Sequence, residues 1–146
     1  MHFPKRYFVL LSLTAVISLL TTSCTESKVS QCNKIIQIAN KTVTQAKSVT
    51  NNGQANDPKA MLQAADAMEK ASQDMKKINV KDQKLKDYQA GFMNMYRDTS
   101  KATRDFVAAF EKKDLPGAET ALTNLQQATT PEKQLVTDIN TYCSGK

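Results

Sequence analysis

The sequence predicts an all-α protein, an up-down-up-down four-helix bundle that follows a cleaved signal peptide and is closed by a Cys32–Cys143 disulfide. Three observations carry that expectation. Apolar residues recur every three or four positions in four successive segments after residue 28. Short polar or proline-containing breaks separate those segments. Two cysteines stand at the two extremes of the periodic region.

The first residues read differently from the rest. Lys5 and Arg6 form a basic head, and residues 7–20 form an apolar stretch interrupted only by Ser12, Thr14 and Ser18. Thr21, Thr22 and Ser23 then lead to Cys24. That order is the order of an export signal. The apolar run is about 14 residues, short of the roughly 20 that a membrane-spanning helix requires, which disfavours a retained anchor helix. The segment Leu20-Thr21-Thr22-Ser23-Cys24 resembles a bacterial lipobox, with its leucine one place earlier than is usual. The resemblance implies cleavage before Cys24, acylation of that cysteine and attachment to the extracytoplasmic side of a bacterial membrane, periplasmic or thylakoid-lumenal. Cleavage by an ordinary signal peptidase next to small Thr21 and Ser23 is the alternative. The expected organisation is a signal peptide over residues 1–23, a short tether over 24–28, the bundle over 29–143 and a tail over 144–146.

The chain carries 20 Lys and Arg against 14 Asp and Glu. Lys5 and Arg6 fall in the signal and no acid does, so the remainder has 18 bases and 14 acids, a net +4. That is far from the dense basic face of a nucleic-acid binder. There are three cysteines. An odd count in an exported protein asks for an explanation, and acylation of Cys24 leaves one pair. Outside the cytoplasm Cys32 and Cys143 can persist as a disulfide closing a loop of about 110 residues. Two free thiols are the alternative. A metal pair is weaker still, because two cysteines alone do not make a zinc site.

The first helix is expected to bury Val29, Cys32, Ile36, Ala39, Val43 and Ala46, and Asn51-Asn52-Gly53 stops it. Asp57-Pro58 supplies an N-cap and a first-turn proline for the second. Its inward face runs through Met61, Ala64 or Ala65, Met68, Ala71, Met75 and Ile78. Asp82 caps the third helix, whose stripe of Leu85, Tyr88, Phe92, Met95, Thr99, Ala102, Phe106 and Ala109 is the clearest in the chain. Gly91 interrupts that helix at a cost of about 1 kcal/mol relative to alanine, as close approach of a neighbouring helix would require. Asp114 and Pro116 open the fourth. Leu122, Leu125, Val136, Ile139 and Cys143 share a seven-residue rhythm that passes across Pro131, which predicts a kink without a change of direction.

An even number of helices brings Cys32 and Cys143 to the same end. An odd number separates them by about 30–45 Å at 1.5 Å per residue, beyond disulfide reach. Only residues 25–28 lie between Cys24 and the first helix, roughly 15 Å when extended, so this end should lie close to the membrane. Lys28, Lys34, Lys76, Lys77, Lys81, Lys84 and Lys86 are expected there in excess over the acids. They form either a membrane-facing basic end resting on anionic headgroups or an ordinary solvated lysine surface, and the latter is favoured.

The chemistry of an enzyme is missing from the sequence. The single histidine, His2, lies in the signal. Without histidine there is no Ser-His or Cys-His nucleophile and no Glu-x-x-His pair for a di-iron bundle. No glycine-rich phosphate loop or haem-attachment motif occurs. No cofactor or metal site and no catalytic residue is therefore expected. Met61, Met68 and Met75 recur every seven residues, with Met93 and Met95 on the next helix. Thioethers can hold Cu(I), but methionine at this spacing is expected as core filling.

The layout is similar to small exported lipoproteins of cyanobacteria. It shares their Thr-Ser-Cys export site, Ser30-Gln31-Cys32-Asn33-Lys34 at the start of the first helix and Tyr142-Cys143 near the end. The likeness is one of organisation and implies no activity. A more distant architectural resemblance is to PsbQ-like four-helix lipoproteins that attach to photosystem II from the lumen. Two functions follow as expectations. The first is a non-catalytic accessory protein docking on a membrane complex, with the exposed side of the third helix around Tyr96, Arg97 and Arg104 as partner face or plain solvated surface. The second is a carrier or sensor of a small apolar molecule, favoured by an unfilled core pocket near Gly91, Ala102 and Ala109.

Overall fold

A computed structural model describes residues 26–50 and 57–144. The signal, Cys24, the Asn51-Asn52-Gly53 stop and the last two residues lie outside the described part. What is described is all-helical and contains no strand among the described residues. In chain order the helices are α1 (Lys28–Val49), α2 (Pro58–Lys76), α3 (Gln83–Glu111), α4 (Leu115–Thr129) and α5 (Glu132–Ser144).

Each of the first four begins where a short polar side chain accepts an otherwise orphaned backbone N–H. The Ser27 hydroxyl accepts from Ser30 N at 3.2 Å and the Asp57 carboxylate from Lys59 N at 3.1 Å. Asp82 accepts from Leu85 N at 2.9 Å and Asp114 from Gly117 N at 3.0 Å. Between α4 and α5, Thr130 keeps right-handed helical dihedrals, and Leu135 N bonds Pro131 O at 2.9 Å. Proline thus removes a donor at the break between two helices that both touch α3.

At 29 residues, about 43 Å, α3 is the longest helix, and α1, α2, α4 and α5 all touch it. Its buried arc is correspondingly wide. The large buried side chains gather in the half of the molecule that contains the disulfide: Ile35, Met75, Leu85, Phe92 and Ile139 are fully enclosed. Met68, Met75, Met93 and Met95 lie in or against this cluster and serve as hydrocarbon. The other half is built on small residues, with Ala60, Ala65, Ala102, Ala109 and Ala121 buried.

Two expected stripes are corrected. On α1 the enclosed positions are Gln31, Cys32, Ile35 and Thr42, while Val29 is exposed. Ile35 and Ile36 are adjacent, and the helix rotates to bury the first. Thr42 goes inside because its hydroxyl donates to Ile38 O at 2.7 Å. On the last two segments the inward residues are Ala121, Leu135 and Ile139, and Leu122 and Val136 face outward. The alanines let α4 lie close against α3, which turns the neighbouring leucine out. At Gly91 the close approach expected of a neighbouring helix is found: an added Cβ would sit 2.6 Å from Leu135 Cδ2, so the glycine admits α5.

The Cys32–Cys143 disulfide, with Cα atoms 5.9 Å apart, ties the first turns of α1 to the last of α5 across 111 residues. Replacing both cysteines with serine is expected to lower the unfolding free energy by about 4–5 kcal/mol on the loop-entropy account. Urea denaturation of the two forms measures it.

Helix α3 ends with Lys113 in the left-handed region at φ 57°. Asp114 N bonds Ala109 O at 2.9 Å and Lys113 N bonds Phe110 O at 3.0 Å, the pattern of a Schellman cap. Glycine is the favoured residue there, so Lys113→Gly is expected to stabilise the fold by about 1 kcal/mol, read as a higher denaturation midpoint.

Candidate functional site

The two ends of the molecule differ in chemistry. At the disulfide end, Gln31 is buried and uses both halves of its amide. Its Nε2 donates to Glu26 O at 2.9 Å, and its Oε1 accepts from Lys81 N at 2.7 Å and Asp82 N at 3.3 Å. The connection from α2 to α3 is thereby fastened to the start of α1. Gln89 secures its other side, donating to Met75 O at 2.7 Å and Ile78 O at 2.9 Å. The Tyr142 hydroxyl donates to Asp82 at 2.9 Å, and Lys28 Nζ lies 3.6 Å from the Tyr142 ring centroid. Asp82 is held below the usual carboxylate range first by the Leu85 N–H and then by Tyr142 and Lys28.

The seven lysines expected at this end are exposed. Four of them are engaged by neighbouring groups. Lys34 pairs with Glu26 at 2.8 Å and Lys77 with Asp74 at 3.0 Å. Lys28 and Lys84 sit over Tyr142 and Tyr88. Among the described residues Lys76, Lys81 and Lys86 make no ion pair. Two of the seven have a carboxylate partner, and the cluster is a basic surface, not a pocket.

The expected partner face on α3 is corrected. Tyr96 is only 3% exposed, with its ring stacked on Phe92 at 6.0 Å between centroids. Burial pushes its hydroxyl up to about 12, with Glu132 adding to the shift and the Thr42 hydroxyl opposing it. Arg104 reaches back to α2, bonding Asp66 at 2.6 Å and Glu69 at 2.9 Å. Arg97 is exposed and pairs with its neighbour Asp98 at 2.9 Å. The exposed face of α3 runs through Asn94, Arg97, Asp98, Lys101 and Asp105, with Arg104 at its edge and Tyr96 turned inward.

The opposite end holds the feature that sequence reasoning missed. Phe110 is 60% exposed, Leu115 78% and Leu122 44%. They border an apolar cleft of about 340 Å³ lined by Pro58 and Met61 of α2, Phe106 and Phe110 of α3, and Leu122 and Leu125 of α4. A second shallow cleft, sharing Pro58 and Phe110, continues past Lys113 to Leu115. No described residue of α1 lines either one. The signal was present in the excess of large apolar residues between 106 and 125, but a stripe assigned to the core hides it.

Among the described residues no group of His, Cys, Asp or Glu is placed to hold a metal ion, and no helix is long and apolar enough to cross a membrane. No protein-family model matches the chain, and no curated protein or solved structure matches it significantly.

Tyr96 has a higher value folded than the usual 10 unfolded, so its contribution is complete below pH 10 and lost as pH rises toward about 12. Alkaline denaturation is expected to steepen over that window, and Tyr96→Phe to flatten it, as read by fluorescence-monitored urea midpoints at stepped pH.

Proposed function

We propose that this chain is an exported, non-catalytic lipoprotein, held at a bacterial membrane through acylated Cys24, that docks on a membrane complex from the extracytoplasmic side. In this reading α1, α2 and α3 run up, down and up, and α4 and α5 form one kinked fourth helix running down. The disulfide end then faces the membrane, with residues 25–28 as the tether, and its three unpaired lysines lie near headgroups.

The exposed apolar end is the observation that carries the proposal. Soluble surfaces seldom leave large apolar side chains grouped together unless something covers them. Here Phe110, Leu115 and Leu122 stand at the end away from the tether, where a partner in the extracytoplasmic space would meet them. The Cys32–Cys143 crosslink supports an oxidising compartment.

The second reading is a carrier of a small apolar molecule between the helices. Leu135 fills the space at Gly91, where an open pocket would have favoured this reading, so it rests on the cleft beside Phe106.

A pull-down from native membranes, with the intact lipoprotein as bait and the Cys24→Ser form as control, tests the proposal. A membrane complex recovered in stoichiometric amount with the anchored form alone is expected. Recovery of the bait with no membrane complex would remove the accessory role.

A further inference from the structure

Around α3, at the end remote from the disulfide, no described residue of α1 stands beside α2 and α4 at the cleft. Helix α1 runs beside α3 from the disulfide as far as Val49, with Thr42 reaching Tyr96 along the way. Beyond that level α2, α3 and α4 continue without it. The cleft lies in this stretch, and its seven lining residues, Val107 among them, come from those three helices alone.

The same end also carries a projection. Leu115, in the first turn of α4, is the most exposed large apolar residue described, and Phe110 separates it from the cleft. One molecule therefore presents an apolar knob beside an apolar hole. Such a pair of features fits a two-fold contact, in which the knob of each copy enters the hole of the other.

The charges agree with this occupant. Glu111 and Asp114 stand beside Lys112 and Lys113 at the tip, and Asp57 and Lys59 flank Pro58 across the cleft. Both signs are present in equal number. Two such rims facing one another about a two-fold axis can set acid against base. A strongly charged partner or an anionic bilayer gains nothing here and would be drawn to the basic disulfide end instead.

We infer that this end is a self-association surface: Leu115 of one copy seats in the cleft between Pro58, Met61, Phe106 and Leu122 of a second copy of this chain. The inference rests on the reading of this end as a docking surface and assigns it to a second copy of this chain, so that a membrane complex would be met by the self-associated form.

The test places a photoreactive amino acid at position 115 of the full-length chain, expressed in bacterial membranes, and analyses the products by mass. The expected product has twice the chain's mass, contains this chain alone and joins position 115 to the cleft of the other copy. Leu122→Glu puts a charge at the mouth of the cleft on an already exposed position, and is expected to reduce that product by about tenfold or more. An unchanged denaturation midpoint for Leu122→Glu shows that the fold is intact. If that variant unfolds, Met61→Glu on the opposite wall serves instead. A product with another protein overturns self-association while leaving the accessory role standing. A lipid adduct, a link within one chain or no product overturns it as well. The pull-down outcome, read separately, decides the accessory role.

Discussion

The crosslink between Cys32 and Cys143 is the constraint on which the rest of the structure depends. It joins the first turns of α1 to the last turns of α5, and so requires a chain that leaves one end of the molecule to come back to it. The neighbouring polar groups repeat the message without covalent bonds. Gln31, next to Cys32, fastens the α2–α3 connection, and Tyr142, next to Cys143, fastens the N-cap of α3. Three segments far apart in sequence are thus held within one small volume. The large enclosed side chains collect beside it, because helix positions are best defined there.

Moving away from the crosslink, the core changes in kind. Leucine, isoleucine, methionine and aromatic rings give way to alanine. Small residues allow the helix backbones to approach closely, and they leave little room between helices for large ones. Phe106, Phe110, Leu115 and Leu122 consequently turn toward the surface. An apolar end is thus a direct result of tight packing behind it, together with the stop of α1 short of the α2–α3–α4 layer. The molecule is polarised: one end is covalently closed and basic, the other is open, apolar and close to neutral in charge. A lipoprotein tethered at the first end would present the second to its surroundings.

Ion pairs have a smaller part in this arrangement. Arg104 with Asp66 and Glu69 is the main charged bridge between two helices among the described residues, and it is partly exposed. Bridges of that kind contribute about 0–1 kcal/mol. Arg104 joins α3 to α2 at the level of Asp66 and Glu69.

Much was legible in the sequence alone. The all-helical class, the caps at Asp57, Asp82 and Asp114 and the pairing of Cys32 with Cys143 all follow from local chemistry and from counting. A cap needs only an acceptor before a periodic segment, and a crosslink only a parity argument. The close approach at Gly91 was legible for the same reason, since a glycine in a strong helix has few other uses. The tertiary structure decided which of two adjacent residues faces inward. Ile35 over Ile36, Leu135 over Val136 and the burial of Tyr96 depend on how far each helix rotates against its neighbours, which periodicity leaves open by one position. It also decided the open cleft at Phe106 and Leu122, because an apolar residue reads as core until the length of the helix opposite it is known.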